Sequence, residues 1–476
     1  MNLRPKIDRQ NQLVVRPPVV HRETQRYYDR YETLSRVLDE NPGILDAVHR
    51  DVHRAIKSIN RGRGGKRFRY TTDQIFRMIL VQAIEGWPLR ETCLRIDDGS
   101  ILRVFTRIGM GPMLHPSHLC NMKNAIRPET WRTVNGLLAR YSVRRGLIEG
   151  KKVRLDTTAV ETNIHYPTDS SLMSDCSRVL CRLIGRARDV DPDAVGPGRL
   201  QHRRTKRLAD QISRATQRKK QVSQEQLRPT YEKLMQRVER TLSWTSEVST
   251  RLRLSLHAGR FGVLEHAMVQ AIVQDLAHFA GLTERVLDQT RRRILNGEVV
   301  PSKEKILSIF EPHTELLIRG KAGKRIEYGH MIQIQQVEGN FVTDYGVFAR
   351  RPAQESDLLA SVIASHGRLF GRPPEVLAAD KGYFPGMVAL RALEKNVELV
   401  AIGKKGRRTE EETEREHAVL FRLAQRFRAG IEGTISYLKR AFRLFRCFNK
   451  GWQHYVSTIG ATIFAHNLVA LVRLET

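Results

Sequence analysis

The sequence predicts an α/β protein whose sheet is interrupted by a helical insertion and preceded by an all-α, helix-turn-helix-like N-terminal domain. Three observations carry this. Short amphipathic patterns joined by Gly/Pro turns fill residues 31–148. At Lys151 the pattern switches to alternating, β-branched residues. A helical block from about 170 to 300 follows, and beyond it strand and helix patterns alternate to residue 476. The expected organisation is a flexible basic arm over 1–30, a helical domain over 31–148, and an α/β domain over 149–476 interrupted at about 170–300.

The elements follow in order. From Tyr31 to Ile59, apolar residues including Leu34, Val37, Leu38, Ile44, Leu45 and Val48 recur at helical spacing. Residues 60–70 form a glycine-broken basic linker in which Lys66, Arg67 and Arg69 are candidate phosphate contacts. Thr72 and Asp73 offer N-cap chemistry to the next helix, and Gly86-Trp87-Pro88 ends it. Helices are expected over Leu89–Ile96, Ser100–Ile108 and Thr130–Arg145, and a strand over Lys152–Val160. Within the insertion, Gly198–Arg253 is strongly basic and Phe261–Leu282 is apolar enough to dock on a neighbour. Ile326–Gln335 and Phe341–Ala349 make a hairpin. Ser356–Leu369 is a helix, Glu375–Asp380 a strand, Pro385–Lys395 a helix and Val397–Gly403 a strand. Lys404–Arg415 is a charged connection, in which Glu410, Glu411 and Glu412 are expected to be solvated. A long helix over Ala418–Phe445 and a terminal helix over Trp452–Leu474 complete the chain.

Composition narrows the function. The chain has 476 residues, 81 Lys+Arg and 51 Asp+Glu, so its net charge is 81 − 51 = +30. That excess argues against small neutral substrates and for a polyanionic partner, nucleic acid before an anionic membrane. Met1–Leu13 lacks the apolar core of a signal peptide, and Ile463–Val472 is too short for a span and contains His466 and Asn467. The odd number of cysteines, five, reads as free thiols in a cytosolic setting. His115-Pro-Ser-His118-Leu-Cys120 lacks a fourth zinc partner and reads as a turn before a helix. Gly320-Lys-Ala-Gly-Lys-Arg lacks P-loop spacing.

Three acids stand out. Asp156 and Asp380 are read as closing strands, where ligands of α/β sheets sit, and Gly382 as permitting a sharp turn after the second. Taken alone, either aspartate is more often a turn or cap residue. On the long helix, at 100° per residue from Phe427, the residues Ile431, Ile435, Leu438, Phe442 and Phe445 fall within about 80°. Arg428, Lys439 and Glu432 fall at about 100°, 120° and 140°, a polar stripe beside the buried one. Taken alone, that spacing is better read as an ordinary helix flank with Glu432 paired to Arg428.

A family resemblance bears on this choice. Gln425-x2-Arg428-x3-Glu432-x6-Lys439 resembles the Y-R-E-K signature of bacterial insertion-sequence DDE transposases, with Gln425 where the family usually has Tyr. Leu155-Asp-Thr-Thr and Ala379-Asp-Lys-Gly-Tyr resemble its first and second acid motifs. Val300–His330, the tail Lys450-Gly-Trp…Ala465-His-Asn-Leu468 and residues 66–130 resemble its remaining parts, so the resemblance covers most of 48–476 and least of 180–300. It implies an RNase H-like core. Asp156, Asp380 and Glu432 become catalytic metal ligands for two Mg2+ ions, with Mn2+ as substitute, and Asp156 the bridging one. Arg428 and Lys439 would hold phosphates. The implied activity is end cleavage and strand transfer on double-stranded DNA, by a homodimer or higher oligomer in the bacterial cytoplasm at the nucleoid, with no membrane partner. Two alternatives stay open: a transposase-derived DNA-binding protein without activity, and a nuclease without strand transfer.

Overall fold

A computed structural model describes residues 21–60, 70–217, 223–318 and 325–475. Lys66, Arg67 and Arg69, most of the expected N-terminal arm, and Arg319–Lys324 lie outside the described residues. The chain forms a mixed α/β architecture with a helical N-terminal region, and it divides into two compact units, 1–161 with 330–476, and 162–329.

The first unit opens with α1 (Arg22–Asp39), α2 (Pro42–Asn60), α3 (Thr72–Glu85), α4 (Leu89–Asp98), α5 (Ser100–Thr106), α6 (Pro116–Ala125) and α7 (Pro128–Arg144). Three readings are corrected here. Residues 22–30 are helix rather than arm, because Tyr27, Arg30 and Tyr31 gather around the Glu85 carboxylate. The pattern over Tyr31–Ile59 is two helices, because Pro42 has no N–H to continue the first. The N-cap of α3 is Thr71, in a capping box with Gln74, while Asp73 is inside the helix and pairs with Arg77 and Arg107. Gly86 does end α3, in the left-handed region at φ 65°. His115 is the N-cap of α6, accepting a hydrogen bond from the Ser117 N–H.

The chain then enters β1 (Lys152–Thr162) and passes into the second unit. That unit holds α8 (Asp169–Val190), α9 (Pro192–Val195), α10 (His202–Gln217), α11 (Gln224–His257) and α12 (Val263–Thr290) around a core including Met173, Leu183, Leu234, Val248 and Leu276. On α10, Thr205, Ala209 and Ile212 face inward while Arg203, Arg204, Lys206 and Arg207 face solvent. Of the apolar stretch expected to dock, Val269, Ile272, Val273 and Leu276 are in the core, and Val263, Leu264 and Met268 are exposed. A short strand absent from the sequence reading, β2 (Glu315–Ile318), pairs antiparallel with Ile326–Gly329, the start of β3 (Ile326–Gln336).

Back in the first unit, β3 leads through Gly339 and Asn340, both at positive φ, into β4 (Val342–Val347). Then come a 3-10 turn at Glu355–Leu358, α13 (Leu359–Phe370), β5 (Val376–Ala379), a 3-10 turn at Lys381–Tyr383, α14 (Met387–Leu393) and β6 (Leu399–Ile402). Next, α15 (Glu410–His417), α16 (Val419–Arg440), β7 (Arg446–Cys447) and α17 (Trp452–Glu475) complete it. The strand order in this unit is β4-β3-β1-β5-β6, with β7 also on β1. The β3–β4 ladder is antiparallel, and β1, β5 and β6 run parallel.

The helices α1–α7, the sheet and α17 share one hydrophobic core, so the boundary expected at residue 148 falls inside this unit. At 24 residues, α17 is long and apolar enough to cross a membrane by length and composition, which corrects the expectation that this segment is too short. In this fold 83% of its apolar window is buried. Its polar residues have partners there: Asn467 exchanges two hydrogen bonds with the Val342 backbone, at 2.9 and 2.8 Å.

Candidate active site

The two aspartates meet through strand register. Parallel pairing of β1 with β5 runs from Lys152↔Val376 to Leu155↔Ala379, and Asp156 and Asp380 are the residues that follow this last pair. Neighbouring strands lie about 4.8 Å apart. The chain moves from β1 to one side for β3 and β4, then returns to β5 on the other side. Crevices at such reversals are where α/β sheets bind ligands. Asp156 does not close its strand, as the sequence suggested. It is the fifth residue of an eleven-residue β1 and stands at an end only relative to β5, which stops at Ala379. Asp380 is exposed, and its carboxylate accepts from the Lys381 N–H at 2.6 Å.

The third acid comes on α16, and buried polar contacts set that helix on the sheet. Buried Arg154, two residues before Asp156, donates to Gln336 Oε1 at 2.8 Å, to the Phe427 carbonyl at 2.6 Å and to Asn340 Oδ1 at 2.7 Å. Its guanidinium also lies 4.7 Å from the Phe427 ring centre. Burial pulls the Arg154 pKa down to about 10. A Cβ on Gly430 would collide with this guanidinium, so the missing side chain lets the helix approach. Gln336 Nε2 donates to Thr434 Oγ1 at 2.8 Å. Gln425 Nε2 donates to the carbonyls of Ala379 and Ala401, the last and penultimate residues of β5 and β6 modules, at 3.2 and 2.6 Å. The residue that departs from the Y-R-E-K pattern thus ties α16 to both strands.

Arg428 and Glu432 are placed by this docking. One Arg428 nitrogen lies 3.2 Å from Asp156 Oδ2, and another 2.9 Å from Glu432 Oε1. The Glu432 side chain is 66% exposed and that of Asp156 only 15%. Burial pushes the Asp156 carboxyl up to about 6; Arg428 and the Thr157 N–H oppose the rise, and the charges of Asp380 and Glu432 add to it. Lys439 is half-buried two turns after Glu432. The helix ends at Arg440 rather than continuing to Phe445: Arg443 adopts φ 55°, Phe442 stays buried and Phe445 is exposed.

A fourth carboxylate, Glu355, escaped the sequence reading. Its Oε1 accepts from the Thr157 hydroxyl at 3.0 Å, next to Asp156. A Cβ on Gly382 would strike its other oxygen, so Glu355 comes close to the Gly382 backbone; the φ of Gly382 is not positive, which corrects the turn expected there. Burial and then the Glu355 charge raise the phenol of buried Tyr383. The rival acids behave otherwise. Glu410 and Glu411 are exposed as expected, but Thr409 and Glu412 cap α15 and Glu412 is buried against Lys404 at 2.8 Å, so the segment is a helix start.

Comparison of the chain with protein-family models, curated proteins and solved structures finds no match.

Among the described residues, no group of three or more His, Cys, Asp or Glu stands together as a ready cation cage. The donor chemistry nevertheless suits a hard cation, since carboxylate oxygens are what Mg2+ prefers. So does the electrostatics: burial, and after it the charges of Asp380 and Glu432, disfavour ionised Asp156, and a bound cation would offset both. In this arrangement the Arg428 guanidinium supplies the positive charge that Asp156 and Glu432 share. Its Nε is buried without a hydrogen-bond partner, so these contacts do not saturate it.

Proposed function

We propose that the chain is a DDE-type DNA transposase with an RNase H-like catalytic core, which binds the ends of an insertion sequence and catalyses end cleavage and strand transfer. The observation that supports it is that Asp156 stands beside Asp380 at the end of the β1–β5 ladder and shares Arg428 with Glu432, at a reversal of strand order. The mixed sheet, with an antiparallel β3–β4 ladder and a parallel β1–β5–β6 ladder, agrees with that core.

Asp156, Asp380 and Glu432 would hold Mg2+ or Mn2+. When bound, two such ions stabilise the attacking and leaving oxygens of an in-line displacement at phosphorus. The chain's own groups do the rest. Asp156, with its carboxyl near 6, is mostly ionised at neutral pH and needs a compensating charge. Arg428 supplies it before substrate arrives and can transfer its planar donors to a phosphate oxygen, for which guanidinium is suited. Lys439, on the same stripe, would hold a neighbouring phosphate. Arg154, Gly430 and Gln425 keep Glu432 in range of the strand ends. The net charge of +30 serves binding to double-stranded DNA, with which a homodimer or higher oligomer would assemble.

The test is cleavage of linear duplex carrying the element's ends, with and without Mg2+. Asp156→Ala, Asp380→Ala and Glu432→Ala should each abolish cleavage and leave end binding intact. A purified variant that still cleaves removes that residue from the site.

A further inference from the structure

The second unit contains a small cavity of about 120 Å³ that the catalytic reading does not use. Arg199, Arg237 and Arg240 line it, with Thr205, Thr241 and Trp244. No Asp or Glu lines it. Some arginines of this unit are paired with acids: Arg228 with Glu232, Arg251 with Glu247, Arg291 with Glu239, Arg293 with Asp169. Glu239, the acid next to Arg240 in sequence, is therefore already engaged. Among the described residues no carboxylate forms an ion pair with Arg199, Arg237 or Arg240, and Arg237 donates only to the neutral Gln201 amide, at 3.0 Å.

The cavity is also built rather than incidental. Trp244 Nε1 donates to the Val195 carbonyl at 3.2 Å, and Arg188 lies 5.7 Å over the indole. A Cβ on Gly198 would collide with the Trp244 ring, so the loop carrying Arg199 is pressed against α11. Arg199 and Arg240 are exposed and Arg237 is half-buried, so an anion entering from solvent meets three cationic donors at one cavity. At about 30 Å³ per water, the volume is that of roughly four waters, enough for one tetrahedral oxyanion. Guanidinium forks and hydroxyls are the donors such a group takes.

We propose that this cavity binds a single phosphate group, and that the phosphate is one of the DNA backbone; the second part rests on the DNA-binding reading above. Phosphate held here would anchor the insertion on the duplex without reading its sequence.

The test uses the full chain and two probes. Inorganic phosphate should change the fluorescence of wild type, and Trp244→Phe should remove that change, leaving Trp87, Trp131 and Trp452 as background. Arg237→Gln with Arg240→Gln should weaken phosphate at least about tenfold, with circular dichroism and Tm unchanged. The same double variant should lower the slope of log affinity for duplex DNA against log salt by about one, the value for one lost phosphate contact. Phosphate binding that ignores the double substitution overturns the site. A saturable phosphate signal with an unchanged DNA slope overturns the DNA assignment. The phosphate readout needs neither metal nor cleavage, so a failure of the catalytic reading is seen separately.

Discussion

Replacing Asp156 by Asn tests the electrostatics of the site without any substrate. The carboxyl titrates near 6 in the folded chain, against 3.8 as its ordinary value. Its folded pKa is raised, so the protonated form is the one that folding favours. The favourable contribution is complete below about 3.8 and is lost as pH rises through 6. Above that, ionised Asp156 costs about (6 − 3.8) × 1.36, or about 3 kcal/mol. Asn keeps an acceptor for Arg428 and removes the charge. The stability gain of Asp156→Asn over wild type should therefore be near zero at pH 4, grow through pH 5–6, and level off by pH 7 at up to about 3 kcal/mol. In thermal unfolding that is a rise of up to about 6–12 °C, at about 2–4 °C per kcal/mol in domains of about 150–250 residues. Paired melts of the two proteins across pH 4–8 measure it. A difference that stays flat with pH, or a variant less stable than wild type at pH 7.5, refutes the reasoning.

Arg428→Gln removes the group that opposes the rise at Asp156, and a hydrogen bond to a charged group is worth about 1.5–3 kcal/mol, so the carboxyl should climb by about one to two further pK units. Because ligands bind metal only when deprotonated, the pH midpoint of Mn2+ binding, followed by electron paramagnetic resonance, should move up correspondingly; an unmoved midpoint would separate Arg428 from Asp156. Gly430→Ala should press a methyl into buried Arg154 and cost about 1–3 kcal/mol with loss of cleavage, readable by denaturant unfolding; wild-type stability would mean Arg154 does not anchor α16. Glu355→Gln should keep the Thr157 contact and the fold while lowering Mn2+ affinity, and an unchanged affinity would confine Glu355 to a structural role.

The parts of the site that could be read along the chain are those set by local pattern. Strand β1 alternates and is rich in β-branched residues, β5 and β6 are apolar runs, and the stripe of Arg428, Glu432 and Lys439 follows from helical geometry alone. What could not be read depends on contacts distant in sequence. Asp156 meets Asp380 because β5 is only four residues long, which no window around Asp156 reveals. Glu355 is 198 residues from the Thr157 hydroxyl it accepts, and its nearest signal, Gly382, has ordinary φ and so carries no turn signature. Arg22–Arg30 is helical because Tyr27, Arg30 and Tyr31 reach Glu85 across the fold. One miss was avoidable: Thr409-x-x-Glu412 is a capping-box pattern and announces the start of α15.

Strand transfer tests the central claim most directly. A duplex ending in a free 3′-OH, with its terminal sequence taken from the DNA flanking the gene, is incubated with the chain, a supercoiled target and Mg2+. The account expects joined products that disappear on chelation and in Asp156→Asn, Asp380→Asn and Glu432→Gln. Joining that persists in those variants, or cleaved ends that are never joined by wild type, would contradict it.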